Sequence, residues 1–92
     1  MVEIDVHCEP DGTRWTCRVR VVEGATGTEH VVTVDPGQIA RLEPGSADPT
    51  ELVRRSFEFL LEREPKEAIL RSFDLPVIGR YFPEWEDEVR RG

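Results

Sequence analysis

The sequence has almost no lysine, only two cysteines and no long apolar run. A membrane-spanning helix needs roughly 20 predominantly apolar residues in a row, and no stretch of this chain approaches that length. The segment from Met1 to Asp5 also lacks the basic and apolar parts of a signal peptide. We therefore expect a cytoplasmic protein without a membrane segment, in which Cys8 and Cys17 are free thiols.

The charge balance disfavours nucleic acid as a partner. The formal net charge is −7 and the isoelectric point about 4.8, whereas non-specific nucleic-acid affinity comes mainly from basic contacts to phosphate. Lys66 is the single lysine, and arginine supplies the other basic residues. Ion-pair networks and a codon bias of the source genome both remain open as explanations for this preference.

The size of the chain predicts a single domain over residues 1–92. A chain of 92 residues with 38% apolar residues can fill one modest hydrophobic core but not two.

Apolar and polar residues alternate along the first third of the chain, which is typical of half-buried strands. Even-numbered positions from Val2 to Cys8 are apolar, and odd-numbered positions from Trp15 to Val21 continue the pattern. The predicted strands are residues 2–8, 14–22 and 29–34. They form an antiparallel meander joined by turns rich in glycine.

The register of the first hairpin follows from a four-residue loop at residues 10–13. That loop keeps the apolar sets on one face and places opposite charges across the other face. The expected outer pairs are Glu9 with Arg14, His7 with Thr16, Asp5 with Arg18, and Glu3 with Arg20. In this register Cys8 and Cys17 are diagonal neighbours. A similar loop in the second hairpin would pair Val19 with Val32 and Cys17 with Val34.

The rest of the chain predicts helices, so the fold class is α+β. The long helix covers about residues 49–64, because Asp48 can cap its start and Pro65 ends it. Two or three short helices accompany it. They cover Pro36–Leu42, residues 65–73, and a segment after Asp74 that Pro83 interrupts.

The apolar arc of the long helix is wider than a helix lying on a sheet requires. Its apolar side chains span about 200° of the circumference, whereas one sheet face needs a stripe nearer 100° wide. The surplus predicts a second contact, either with the C-terminal helices or with a partner.

Three segments in the second half resemble a family of short, functionally uncharacterised bacterial proteins. The segments are FEFLLEREPKE at 57–67, ILRSFDL at 69–75 and IGRYFPEW at 78–85. The most distinctive part is the ending from Tyr81 to Trp85. The resemblance implies no activity, cofactor or site residue.

No catalytic, metal or cofactor constellation stands out from the sequence. Asp5, His7 and Glu9 share a strand face, but the expected arginines opposite would repel a cation. Cys8, Cys17 and His30 are zinc-ligand types without zinc spacing, and they lie on the apolar face. Ser56 falls inside the apolar arc of the long helix. We therefore expect a protein that is not an enzyme and needs no cofactor.

A stripe of arginines provides the alternative function. Arg14, Arg18 and Arg20 lie on the polar face of the second strand, with no acidic residue between positions 14 and 20. An Arg-lined sheet face could bind nucleic acid, although outward aromatic residues for stacking on bases are missing.

The C-terminal aromatic segment is the candidate interaction surface. Tyrosine, tryptophan and arginine are enriched at the energetic centres of protein interfaces. The candidate residues are Arg80, Tyr81, Phe82 and Trp85, together with Phe59 of the long helix. They either close the core or bind a partner, which would be another protein or a second copy of the chain. The sequence thus favours a non-catalytic interaction or homodimerising module.

Overall fold

The computed structural model describes residues 1–91 as a sheet with helices packed on one face. Its elements in chain order are β1 (Val2–Asp11), β2 (Arg14–Glu23), β3 (Thr26–Val34), α1 (Pro36–Leu42), α2 (Thr50–Leu61), a 3₁₀ turn (Lys66–Ala68), β4 (Ser72–Asp74), α3 (Val77–Tyr81) and α4 (Trp85–Arg91). The order in the sheet is β1-β2-β3-β4. The first three strands are antiparallel, and β4 is parallel to β3.

The α+β class is confirmed, but the sheet has a fourth strand and is mixed rather than a simple meander. The predicted helix over residues 65–73 is wrong. Its first part is a 3₁₀ turn, and its end is β4. The Val31 amide donates to the Arg71 carbonyl at 2.8 Å, and the Leu75 amide donates to the Thr33 carbonyl at 3.0 Å. The open edge of β3 thus captures a segment too short to carry a strand periodicity.

The two hairpins close through two-residue turns rather than four-residue loops. Gly12 has a φ of 63° and Gly24 a φ of 61°, while no non-glycine residue within 1–91 has a positive φ. A positive φ at the first turn position only is typical of a type II′ turn, which matches the right-handed twist of the strands. These turns lengthen all three strands beyond the predicted bounds.

The shorter turns move both registers by two residues, so the predicted faces are right and the predicted pairs are wrong. On the outer face Asp5 lies opposite Arg20, and His7 lies opposite Arg18. In the second hairpin Cys17 pairs with Val32 rather than with Val34.

Cys8 lies directly opposite Cys17 and forms a disulfide with it, so the expectation of free thiols is also wrong. Their Cα atoms are 4.0 Å apart. The four-residue loop had made these cysteines diagonal neighbours, and the two-residue turn brings them face to face.

Helix α2 begins one residue later and ends three residues earlier than predicted. Pro49 rather than Asp48 occupies the N-cap position, and the Asp48 carboxylate, one residue before it, accepts from the Thr50 amide at 2.9 Å. The wide apolar arc of α2 meets α4 as well as the sheet. Trp85 and Val89 of α4 are fully buried, so the C-terminal helices of the same chain cover the surplus.

The short helix Pro36–Leu42 is confirmed, and so is the break at Pro83, which separates α3 from α4. No helix within residues 1–91 combines the length and the apolar character that a membrane crossing requires.

Candidate functional site

The five residues of the predicted interaction surface separate into two groups. Trp85 is only 1% exposed and Phe59 only 4% exposed, so both belong to the core. Phe82 is half-buried, whereas Arg80 and Tyr81 are exposed. The structure therefore leaves Arg80 and Tyr81, with part of Phe82, available to a partner.

Phe59 is covered on two sides by residues of its own chain. The Arg63 guanidinium lies 3.6 Å from the centre of the Phe59 ring, and Phe82 meets the ring edge-on at 5.8 Å. Arg63 is held there by Glu84 of the loop before α4, with Nε 3.4 Å from Oε2. These contacts explain why an aromatic residue at the margin of the apolar arc is buried.

An apolar groove lies beside Tyr81, where the end of α2, the 3₁₀ turn, β4 and α3 meet. It encloses a cavity of about 230 Å³. Its apolar walls include Leu60, Ile69, Phe73, Val77, Ile78 and Phe82. Tyr81 and Leu70 stand at its rim and are 69% and 49% exposed. Glu64 is the one charged side chain among the lining residues in the described part of the chain.

His30 fixes one side of this groove. Its Nδ1 is 2.8 Å from the Leu70 carbonyl, which can only accept, so Nδ1 carries the proton. Nε2 then accepts from the Thr28 hydroxyl, also at 2.8 Å. The ring packs against Phe57, with 5.3 Å between ring centres, and burial lowers the pKa of His30. Both nitrogens are used structurally, so His30 anchors Leu70 and is not free for proton transfer or metal binding.

The arginine stripe is reduced from three residues to two. Arg14 donates to the Asp35 carboxylate at 2.8 Å and to the Asp74 carboxylate at 3.0 Å, and these contacts raise the pKa of Arg14. Arg18 and Arg20 are exposed, and no carboxylate of residues 1–91 lies within ion-pair distance of either.

The acidic row of β1 is solvated, as its alternating pattern predicts. The His7 ring contacts the Glu9 carboxylate at 3.1 Å, and Asp5 faces Arg20 across the strand pair. Over residues 1–91, no three His, Cys, Asp or Glu side chains converge as they would around a metal ion.

Ser56, which the sequence places inside the apolar arc of the long helix, is buried in the core. Its hydroxyl donates to the Leu52 carbonyl at 2.8 Å and accepts from Trp85 Nε1 at 3.1 Å.

Sequence reasoning placed Leu70 in the predicted helix over residues 65–73 and did not find the groove. The adjacent apolar residues Ile69 and Leu70 are consistent with the buried face of a helix. In the extended segment leading into β4 these side chains instead point to opposite sides, and Ile69 alone is buried. The only local signal was Pro65, which can start a short turn as well as a helix.

Comparison with known proteins found a similarity to the phosphate-specific transport system accessory protein PhoU homolog 1 of Mycobacterium leprae. The two are 29% identical over 72 residues. The match covers 78% of this chain and 32% of that relative, so the chain spans about a third of the relative's length. No protein-family model matches the chain. No solved structure matches it.

Proposed function

We propose that this protein is a non-catalytic interaction module that pairs with a second copy of itself through the groove beside Tyr81. The observation that carries the proposal is the exposed Tyr81 ring next to an apolar hollow. Exposed large apolar side chains that flank a hollow are typical of a contact surface.

The occupant is a second copy because the patch is complementary to itself. A two-fold interface brings the same patch of two subunits together, so a projecting side chain must meet a hollow of the same patch. Tyr81 supplies the projection, and the cavity beside it supplies the hollow. In such a dimer Tyr81 of each copy fills the groove of the other.

The charges at the groove are complementary in the same way. Glu64 lines the groove and Arg80 precedes Tyr81, and neither takes part in an ion pair within residues 1–91. Across a two-fold axis, Arg80 of one copy can meet Glu64 of the other. Electrostatic complementarity of this kind fixes the orientation of the two copies more than it adds affinity.

We expect a reversible dimer rather than an obligate one. Stable interfaces bury about 800 Å² on each partner around a well-packed apolar centre. The groove offers two large exposed apolar side chains, Leu70 and Tyr81, which predicts dissociation in roughly the micromolar range or weaker.

The proposed absence of catalysis rests on the engaged polar groups of the core. Ser56 and His30 have their hydrogen-bonding atoms occupied, and Cys17 is bonded to Cys8. The description of the mycobacterial relative as an accessory protein supports a role without chemistry.

Sedimentation equilibrium over a wide concentration range tests the dimer. Leu70→Glu and Tyr81→Ser should both abolish association, because each places a polar group against the apolar groove. Val31→Glu is the matched control, since Val31 is exposed on the opposite face of the sheet. A wild-type monomer at every concentration would overturn the proposal.

A charge exchange tests the orientation. Arg80→Glu and Glu64→Arg should each weaken association through like-charge contacts, and the double variant should restore it. If the double variant is as weak as the singles, the two side chains do not meet.

We also propose the cytoplasm as the compartment, and the Cys8–Cys17 bond is the observation that argues against it, because disulfides are rare there. Rapid alkylation of thiols in intact cells decides this point. Modified cysteines support a cytoplasmic location, and an intact disulfide contradicts it.

A further inference from the structure

Strand β1 presents a free backbone edge along the outside of the sheet. It pairs with β2 on one side and has no strand neighbour on the other within residues 1–91. The groove beside Tyr81 is built partly on β4, at the other end of the strand order, so the two surfaces are separate.

Three observations show which backbone groups face outward. The two-residue turn makes Asp11 and Arg14 a hydrogen-bonded pair. The backbone N–H and C=O groups of the even-numbered residues of β1 therefore point away from β2. The short Cα separation of Cys8 and Cys17, 4.0 Å, is typical of a non-hydrogen-bonded pair. The Ile4 carbonyl accepts from Arg54 Nη1 at 2.6 Å, as an outward group would.

The outward groups set the length of strand that can be added. Val6 and Cys8 each offer one amide and one carbonyl. Ile4 offers only its amide, because Arg54 occupies its carbonyl, and Pro10 offers only its carbonyl, because proline has no N–H. The open edge therefore suits a short extended segment centred on Val6 and Cys8.

The side chains along this edge define the partner's chemistry. The side chains of Ile4, Val6 and Cys8 lie on the face of the sheet that the helices cover, and they are half-buried. An added strand with apolar residues on that face would bury them further. On the opposite, solvent-exposed face of the sheet, β1 carries the acidic side chains Glu3, Asp5 and Glu9. Basic residues on the partner's outward face would stand directly beside these acids.

A second copy of the chain does not fit this edge. Antiparallel pairing of two β1 strands would bring the two acidic rows together, and like charges on neighbouring strands are destabilising. Arg54 and Pro10 also reduce the number of backbone groups that are free to pair, which is a common way of protecting an edge strand from self-association.

We propose that the β1 edge binds an extended segment of another protein in which lysine or arginine alternates with apolar residues. The segment adds a fifth strand to the sheet, hydrogen-bonded at Val6 and Cys8. Its apolar side chains lie beside Ile4 and Val6, and its basic side chains lie beside the acidic row. This recognition mode takes affinity from the backbone and specificity from alternate side chains.

The probe is a short capped peptide that alternates valine with lysine, added to the full chain and followed by calorimetry and amide hydrogen exchange. The outward amides of Ile4, Val6 and Cys8 should exchange quickly in the free protein. Saturating peptide should slow them by roughly tenfold or more. The same peptide with glutamate in place of lysine should not bind. Methylation of its backbone amides that face β1 should abolish binding.

The protein variant is Glu3→Lys with Glu9→Lys, which reverses the charge of two residues that face Val22 and Thr16 and leaves Asp5 opposite Arg20 unchanged. This variant should lower the affinity for the lysine peptide by about tenfold or more. The control is Glu62→Lys with Asp87→Lys. It makes the same change in net charge on two exposed residues outside the sheet, one directly after α2 and one in α4. It should leave affinity within about twofold.

Binding without protection of the outward amides would mean a purely electrostatic contact and would overturn the proposal. Equal loss of affinity in both double variants would do the same. Protection that rises with protein concentration in the absence of peptide would identify a second copy as the occupant, which also contradicts it.

Discussion

The indole nitrogen of Trp85 donates a hydrogen bond to the hydroxyl of Ser56 at 3.1 Å, which ties α4 to α2. The hydroxyl in turn donates to the Leu52 carbonyl at 2.8 Å. A small polar residue in the middle of an apolar arc is thus the partner that a buried tryptophan needs. This pair places Trp85 in the core and separates it from its exposed neighbour Tyr81.

Trp85→Ala should lower the free energy of unfolding by about 3–5 kcal/mol, because it leaves a large cavity between α2 and α4. Trp85→Phe keeps most of the volume and should cost less. Tyr81→Ala should change stability by about 0.5 kcal/mol or less, since Tyr81 is largely exposed. Urea denaturation measures all three, and equal losses for Trp85→Ala and Tyr81→Ala would show that this assignment of core and surface is wrong.

Reduction of the Cys8–Cys17 disulfide should lower the free energy of unfolding by roughly 2–3 kcal/mol. The bond joins residues nine positions apart and removes the corresponding loop entropy from the unfolded chain. Denaturation with and without a thiol reductant gives the difference. The Cys8→Ser, Cys17→Ser double variant serves as control, because a reductant should not change its stability.

Stability should fall as the pH decreases below about 6.5, because of His30. Burial lowers the pKa of His30 below its ordinary value of 6.5, so the folded state binds this proton more weakly than the unfolded state. The contribution of the neutral ring is complete above pH 6.5 and decreases below it.

The carboxyl groups act at lower pH. Hydrogen bonds lower the pKa values of Asp48, Glu67 and Asp74, so their contributions are lost only in more acidic solution. Denaturation across the range should therefore show a slope that His30→Phe removes and His7→Gln retains. An unchanged slope in His30→Phe would assign the effect to another group.

Arg55→Met should destabilise the protein by about 3 kcal/mol, because it strips a mostly buried carboxylate of its partner. Arg55 Nη2 lies 3.1 Å from Glu43 Oε2, and Glu43 Oε1 and Arg55 Nε are buried without a hydrogen-bond partner. The double variant Glu43→Leu, Arg55→Met should come within about 1 kcal/mol of the wild type.

The exposed pair of Arg41 and Glu86 is the control for this experiment. Its atoms lie 2.6 Å apart, but both side chains are substantially solvated. Arg41→Met should cost about 1 kcal/mol or less. Similar losses for Arg41→Met and Arg55→Met would mean that burial does not decide the strength of these pairs.

Nucleic acid should not bind, even at low salt. Arg14 is engaged by two carboxylates, and Arg20 lies between Asp5 and Glu29 of the neighbouring strands. Fluorescence anisotropy with mixed oligonucleotides checks this. Affinity that falls with salt, and that is lost in Arg18→Ala with Arg20→Ala but not in Arg71→Ala with Arg80→Ala, would restore the alternative function.

Much of the fold could be predicted because its local signals agree. Period-two alternation defined the faces of β1 and β2, and Pro36 defined the start of α1. The register could not be predicted as reliably. A four-residue loop and a two-residue turn leave the same faces buried, and only their pairings differ by two residues. β4 could not be predicted either, because three residues carry no period.

The exposure of the five candidate interaction residues could be predicted only in part. Arg80 and Tyr81 are exposed as an interaction surface requires, while Phe59 and Trp85 belong to the core. Composition cannot distinguish these cases, since aromatic residues are favoured at interfaces and in cores alike. The difference arises from partners that lie far away along the chain, Ser56 for Trp85 and Phe82 for Phe59.

The sequence by itself determined the α+β class, the apolar face of each early strand, the start of α2 and the break at Pro83. These features depend on neighbouring residues, through side-chain alternation, capping and the geometry of proline. Only the tertiary structure decided the register, the Cys8–Cys17 bond, the groove beside Tyr81 and the free edge of β1. Each of these depends on how separate elements meet, because packing and backbone pairing are settled between elements rather than within them.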